Sequence, residues 1–291
     1  MAPVRPPPLD DKPLEPGLYV VATPIGNLRD ITLRALDVLA KADLVLAEDT
    51  RMAGKLLGAY GLKAKVQRYD DHSGEAVRPG ILKRLAQGAR IALTTDAGTP
   101  LVSDPGYRLV REAGLQGSAV IPIPGASAVL AGLAAAGLPT DRFLFAGFPP
   151  PKSAARRSFL AELAGIRATL VFFEGASRLG ESLKDMAAVL GPREAVVARE
   201  LTKLHETLAR GPLDALAMDP SLQAPKGEVV VLVGPGVEAA SSAADADAAL
   251  AEALTRLGPS EAAGEVSRAT GLPRRDLYRR AVDLKADRGQ G

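Results

Sequence analysis

Four short apolar runs and a fifth, weaker strand, each ending in a polar loop or turn, constrain this chain more than any other feature. They are Leu18–Ala22, Asp43–Ala47, Lys65–Tyr69, Arg90–Leu93 and Ala119–Ile123. Runs of this length, apolar on both faces, are what buried parallel strands require. Helical spacing lies between them: Leu33, Leu36, Val38 and Leu39 share one face, with Arg34, Asp37 and Lys41 on the other. A second amphipathic segment spans Glu75 to Ala86. Strand and helix alternate, so the fold class is α/β with a parallel sheet. The loops at 23–30, 48–51, 70–73 and 94–106 then share one edge of that sheet, the edge where open α/β sheets bind ligands.

The most distinctive loop is Thr94-Thr95-Asp96-Ala97-Gly98-Thr99-Pro100-Leu101-Val102-Ser103-Asp104-Pro105-Gly106. Pro100 and Pro105 hold the residues before them out of the helical region. Gly98 and Gly106 permit backbone geometry or a close approach that a Cβ would block. Asp104-Pro105 fits an N-cap followed by proline at the first helical position. An ordinary turn with a helix cap explains this stretch as well as a ligand loop does.

Beyond Pro139 the texture changes. An aromatic strand, Arg142–Phe148, precedes Pro149-Pro150-Pro151-Lys152 and a helix carrying Arg156 and Arg157. Strands at 169–173, 195–198 and 228–234, with a helix from Ser177 to Leu190, make a second α/β domain. The expected organisation is a disordered leader over 1–16, which holds six prolines, α/β domains over 17–123 and 124–236, and a linker over 237–247. Residues 248–288 then form a small helical domain: one helix to Leu257, one capped by Ser260, and one from Arg274, with a Gly271-Leu272-Pro273 turn between the last two. That pattern suggests helix-turn-helix. Arg268, Arg274, Arg275, Arg279 and Arg280 make it basic, and Tyr278 offers a ring for base stacking, so it reads as a nucleic-acid contact or a packing module.

Composition excludes some chemistry. With no cysteine, there is no disulfide, thiolate metal site or cysteine nucleophile. Only His72 and His205 are available for a histidine metal centre, which argues against one. No apolar run reaches membrane-spanning length, so the chain reads as cytoplasmic with no membrane partner. A net charge of +2 confines any nucleic-acid footprint to local patches.

Four motifs occur in order: Thr23-Pro24-Ile25-Gly26-Asn27-Leu28; Asp96 to Gly106; Pro124-Gly125-Ala126-Ser127; and Arg199-Glu200-Leu201-Thr202-Lys203. Together, over residues 17–286, they resemble the ribosomal RNA small subunit methyltransferase I family of the tetrapyrrole-methylase superfamily. The resemblance implies two α/β domains with a cofactor cleft between them, a helical tail, and a homodimer. It also implies methylation of a cytidine ribose 2′-hydroxyl in the decoding region of 16S ribosomal RNA, with S-adenosylmethionine as cofactor and the assembled small subunit as the partner that presents the RNA. By position, the cofactor contacts it implies are Pro24, Asp96, Gly98, Thr99, Val102, Ser103, Ser127, Ala128, Glu174 and Leu201. This chain has Gly98-Thr99-Pro100 where tetrapyrrole-directed relatives read Gly-Asp-Pro, which favours the RNA branch. Ser73-Gly74-Glu75 after His72 departs from the related pattern and weakens a role for that histidine.

Methyl transfer from a sulfonium is an in-line displacement, so alignment supplies much of the rate. The cofactor brings its own charged leaving group, and no metal is required. A ribose hydroxyl needs its proton removed or its developing charge stabilised. The candidates are Glu200, Lys203, Asp49 and Glu206, with Asp96 beside them; each carries a structural alternative, an Asp49–Arg51 pair or an ion network among Arg199, Glu200, Lys203 and Glu206. Arg29, Arg51, Arg156 and Arg157, with Arg274, Arg275 and Arg279 of the tail, are the candidate RNA contacts. Two other classes compete: a methyltransferase of this fold acting on a tetrapyrrole or protein side chain, and a nucleic-acid binder without catalysis.

Overall fold

The computed structural model describes residues 9–70, 73–236, 243–270 and 272–288. The expectations for His72, Gly271, the first half of the leader and most of the linker lie outside these residues.

The first domain runs β1 (Gly17–Val21), α1 (Leu33–Lys41), β2 (Leu44–Ala47), α2 (Thr50–Ala59), β3 (Val66–Arg68), α3 (Gly74–Ala86), β4 (Arg90–Thr94), α4 (Tyr107–Leu115) and β5 (Val120–Ile123). Its sheet has the order β3-β2-β4-β1-β5, and every pair in it is parallel. The apolar runs that predict these strands are buried: Leu18, Leu44, Leu46, Ile91 and Leu93 are at most 1% exposed. Helix α1 buries Ala35, Leu36, Val38 and Leu39, and Thr32 caps it by accepting from the Ala35 N–H. Leu33 is exposed instead. Helix α2, which the apolar spacing does not reveal, starts directly after Asp49, whose carboxylate caps it.

The second domain runs α5 (Ala128–Ala136), β6 (Phe143–Phe145), α6 (Ser153–Leu163), β7 (Thr169–Gly175), α7 (Leu179–Leu190), β8 (Glu194–Arg199), β9 (Thr207–Pro212), α8 (Leu213–Met218) and β10 (Glu228–Val233). Its sheet order is β6-β7-β10-β8-β9. Only β6–β7 is parallel; the other three pairs are antiparallel. Strand β9 is an edge strand that sequence reading passes over. Its Thr-Leu-Ala-Arg-Gly-Pro sequence is half-exposed and carries both strand-weakening residue types.

Helix α5 spans a joint between the domains. Its Val129 and Leu133 pack with Val196, Val230 and Leu232 of the second sheet, and Ile25 from the β1 loop joins the same cluster. Gly132 lets the helix lie against the sheet: a Cβ there would sit 3.3 Å from Leu232 Cδ1.

The tail forms α9 (Ala243–Ala253), α10 (Pro259–Thr270) and α11 (Arg274–Arg288) around Leu250, Val266, Leu277 and small alanines. Helix α9 begins several residues before the apolar spacing indicates. Ser260 lies inside α10 rather than capping it, and its hydroxyl accepts from Arg274.

Candidate active site at the domain junction

Three loops at the carboxyl edge of the parallel sheet are tied together through their backbones. Thr23 and Gly98 exchange both hydrogen bonds of an antiparallel bridge, at 2.8 and 3.0 Å. The Thr23 hydroxyl donates to the Thr95 carbonyl and the Thr99 hydroxyl to the Ala126 carbonyl. Gly98 has φ +85°, and a Cβ there would touch Ile25 Cγ2 at 3.4 Å. Gly106, at φ +129°, is the residue before α4, and a Cβ there would come within 2.8 Å of buried Leu93.

Four non-glycine residues among those described have positive φ, and they fall in just two loops: Leu101 and Ser103 in one, Glu200 and Thr202 in the other. Left-handed backbone costs on the order of 1 kcal/mol or more per residue and persists where surrounding structure enforces it. Both loops are motif loops, and residues of both line a cavity of about 410 Å3 between the two sheets.

Nine of the ten residues singled out for the cofactor line this cavity: Asp96, Gly98, Thr99, Val102, Ser103, Ser127, Ala128, Glu174 and Leu201. Pro24 does not; it is buried, and Ile25 beside it takes a lining position. Ser127 caps α5, so the free N–H groups of that helix start at the cavity wall. Glu174 is 3% exposed, and its carboxylate is committed to the Gly175 N–H, Arg178 at 2.8 Å and the Ser182 hydroxyl.

None of the four catalytic candidates lines the cavity. Asp49 caps α2 and pairs with Arg51 at 2.6 Å; that guanidinium holds its carboxyl well below the usual range. Glu200 accepts from Lys203 Nζ and from the Glu228 N–H, both at 2.9 Å, and the lysine draws its carboxyl down. Burial alone would lower the Lys203 ammonium, but its bonds to Glu200 and Glu228 outweigh that and raise it, so it is no neutral base. Lys203 also lays its methylene stem over Gly26, where any Cβ would collide with it. Glu206 accepts from the Thr202 N–H and fixes the strained turn. These four hold loops in place.

Among the RNA candidates, Arg156 must be reassigned. It is 1% exposed, pairs with Asp185 at 2.7 Å and donates to the Pro151 carbonyl, so it locks α6 to α7 instead of facing solvent. Arg51 is exposed but already paired with Asp49. Arg29, Arg157 and Arg275 are exposed. In the tail, Arg274 donates to Ser260, Arg279 pairs with Asp276 at 3.4 Å, and Arg280 with Asp247 at 2.8 Å. His205 is exposed on its loop.

Several lining residues escaped sequence reading, among them Asp104, Phe148, Phe173 and Glu228. Phe148 stands 55% exposed with its ring edge-on to Phe173 at 5.5 Å. Asp104 is half-buried and does not cap α4, which begins at Tyr107 behind Gly106 with no side-chain cap. Burial raises its carboxyl, the Thr95 hydroxyl opposes that, and neighbouring Asp96 adds to the rise.

A parallel sheet and a mixed sheet meeting over a loop-lined cavity define the tetrapyrrole-methylase fold class. The family model for tetrapyrrole (corrin/porphyrin) methylases matches residues 17–217, and that for the RsmI C-terminal HTH domain matches 240–285. The chain is 50% identical to ribosomal RNA small subunit methyltransferase I of Mesorhizobium japonicum, covering 96% of both chains. It is 54% identical to the protein of the same name from Erythrobacter litoralis, over 94% of this chain and 97% of that one. The crystal structure of uroporphyrin-III-C-methyltransferase from Thermus thermophilus shares the fold, with TM-score 0.53 and 23% identity over 75% of this chain and 93% of that one. This chain therefore belongs to the ribosomal RNA small subunit methyltransferase I family, within the tetrapyrrole methylases. It is an S-adenosylmethionine-dependent methyltransferase.

The cavity suits that cofactor. Its volume lies in the range that encloses a nucleoside-sized ligand, roughly 300–1,000 Å3. Its wall combines apolar surface from Ile25, Val102, Leu201 and Phe173 with the carboxylate of Asp96 and the N-terminus of α5. Those groups match a flat base, hydroxyls with an ammonium group, and a carboxylate, in that order.

Proposed function

We propose that this protein methylates the 2′-hydroxyl of a cytidine ribose in the decoding region of 16S ribosomal RNA, presented in the assembled small subunit. The observation carrying the reading is one cavity that takes residues from all three later motifs and from the Ile25 position of the first. Asp96, Gly98, Thr99, Val102, Ser103, Ser127, Ala128, Glu174 and Leu201 hold the cofactor, which supplies an electrophilic methyl group. The strained 99–103 backbone presets that alignment, which is where displacement gains most of its rate. RNA approaches over the exposed arginines, Arg29 and Arg157 on the body and Arg274, Arg275 and Arg279 on the tail, whose charges steer phosphates. The helix-turn-helix tail supports RNA contact over mere packing because Arg275 is exposed on the helix that follows the turn. The active form is a homodimer in the cytoplasm, as family resemblance implies; no helix among the described residues is long and apolar enough to cross a membrane.

The test is transfer of labelled methyl from S-adenosylmethionine to unmodified small subunits, with the product nucleotide mapped by mass spectrometry. A methyl on a cytidine ribose in the decoding region supports the reading. Cofactor binding without label on subunits or free ribosomal RNA overturns it.

A further inference from the structure

We propose that Asp104 takes the proton from the ribose 2′-hydroxyl during methyl transfer, a role that rests on the ribose-methylation reading above. In that step the hydroxyl oxygen bonds to the methyl carbon while the carbon–sulfur bond breaks with its electron pair on sulfur. The hydroxyl proton passes to an Asp104 carboxylate oxygen, from which water removes it.

Four carboxylates line the cavity: Asp96, Asp104, Glu174 and Glu228. Two are committed. Glu174 is saturated by Arg178, Ser182 and the Gly175 N–H. Glu228 is bound to Lys203 at 3.0 Å and is largely exposed. Asp96 is exposed and accepts from the Asp49 N–H at 3.2 Å, so it helps fix the 49–51 turn beside it. Asp104 has no ion-pair partner among the described residues; the Thr95 hydroxyl beside it has no partner within hydrogen-bond geometry and offsets only part of the rise that burial causes. Among the described residues no lysine or arginine lines the cavity wall to quench it, and Arg178 and Lys203 nearby each pair with a glutamate.

Its position is enforced by the backbone. Ser103 before it has φ +63°, and Gly106 two residues later has φ +129° with no room for a Cβ against Leu93. Because α4 starts at Tyr107, the carboxylate is spared the capping duty that Asp-Pro sequences usually perform. A half-buried carboxylate raised by desolvation and a like charge is a better proton acceptor than an ordinary surface aspartate, and proton transfer gains from that basicity.

The experiment compares wild type, Asp104→Asn and Asp104→Glu. Single-turnover methylation of unmodified small subunits is followed from pH 5 to 9, with S-adenosylmethionine affinity measured by calorimetry on the same samples. Asparagine preserves shape and cannot accept the proton, so turnover falls by about 100-fold or more while cofactor affinity holds. Wild-type turnover drops as pH falls through the raised Asp104 pKa; that acid limb disappears in Asp104→Asn and returns in Asp104→Glu. Carbon-13 NMR of the aspartate carboxyls in wild type supplies a readout without turnover: one resonance titrates above the normal aspartate range and vanishes in Asp104→Asn. Asp104→Asn turnover near wild type overturns the proposal, and so does a loss of cofactor affinity that accounts for the whole defect. If wild type itself leaves ribose unmethylated, the functional reading fails instead of the residue assignment.

Discussion

The 94–106 and 199–206 loops solve the same geometric problem with opposite chemistry. Each forces two non-glycine residues into left-handed backbone beside the cavity. In the second loop the acidic groups and the lysine are committed: Glu200 and Lys203 pair, Glu228 of β10 joins them, and Glu206 ties down Thr202. In the first loop Asp104 keeps its charge uncompensated. Strain alone therefore does not mark the reacting group. The paired loop is frame, with its glutamate carboxyl drawn down by Lys203; the unpaired loop keeps a carboxyl raised by burial, as a functional position tends to.

The largest effect that would sharpen this contrast is the turnover loss in Asp104→Asn, set against a much smaller one in Glu200→Gln, read in the same single-turnover assay. Equal losses would erase the distinction. Next comes Arg156→Ala, which leaves Asp185 buried without its cation; denaturant unfolding is expected to show a loss of roughly 3–5 kcal/mol. Arg156→Met should be milder, because the unpaired carboxylate is then the main cost. A charge reversal at exposed Arg157 or Arg275 leaves stability unchanged and raises KM for subunits at low salt, an effect that fades as ionic strength increases. The smallest effect belongs to Glu200→Gln in stability, about 1 kcal/mol from a charge-assisted hydrogen-bond pair near the surface.

Much of the parallel half was legible because its information is local. Four of its strands are apolar runs, and the loops after β1 and β4 are punctuated by glycine and proline. The mixed sheet was harder. Strand β9 pairs with β8 across a seven-residue strained connection, and nothing in Thr-Leu-Ala-Arg-Gly-Pro announces a strand. Cofactor positions in the motifs largely reached the cavity wall, with Pro24 yielding to Ile25. The charged residues are less legible because charge pairing is non-local, so the catalytic and the structural alternatives for them stand side by side in the sequence. Arg156 looks like a surface arginine until Asp185, 29 residues away, folds over it. Glu200 and Lys203 look like catalytic partners until Glu228 closes their network from β10. Asp104 was concealed by a sound local rule, that Asp-Pro caps a helix, which tertiary packing overrode by starting α4 two residues later.

The contrast between the loops is tested most directly by one set of thermal melts. Wild type, Asp104→Asn and Glu200→Gln are melted across pH 4 to 8. Asp104 has a raised folded-state pKa, so its ionisation works against the fold, and Asp104→Asn should gain stability over wild type as pH rises through that value. Glu200 has a lowered one, so its charge supports the fold, and the deficit of Glu200→Gln should be full at neutral pH and shrink as pH falls toward 4. Opposite pH slopes for the two variants are the predicted result; parallel slopes would contradict the division of one strained loop for chemistry and the other for frame.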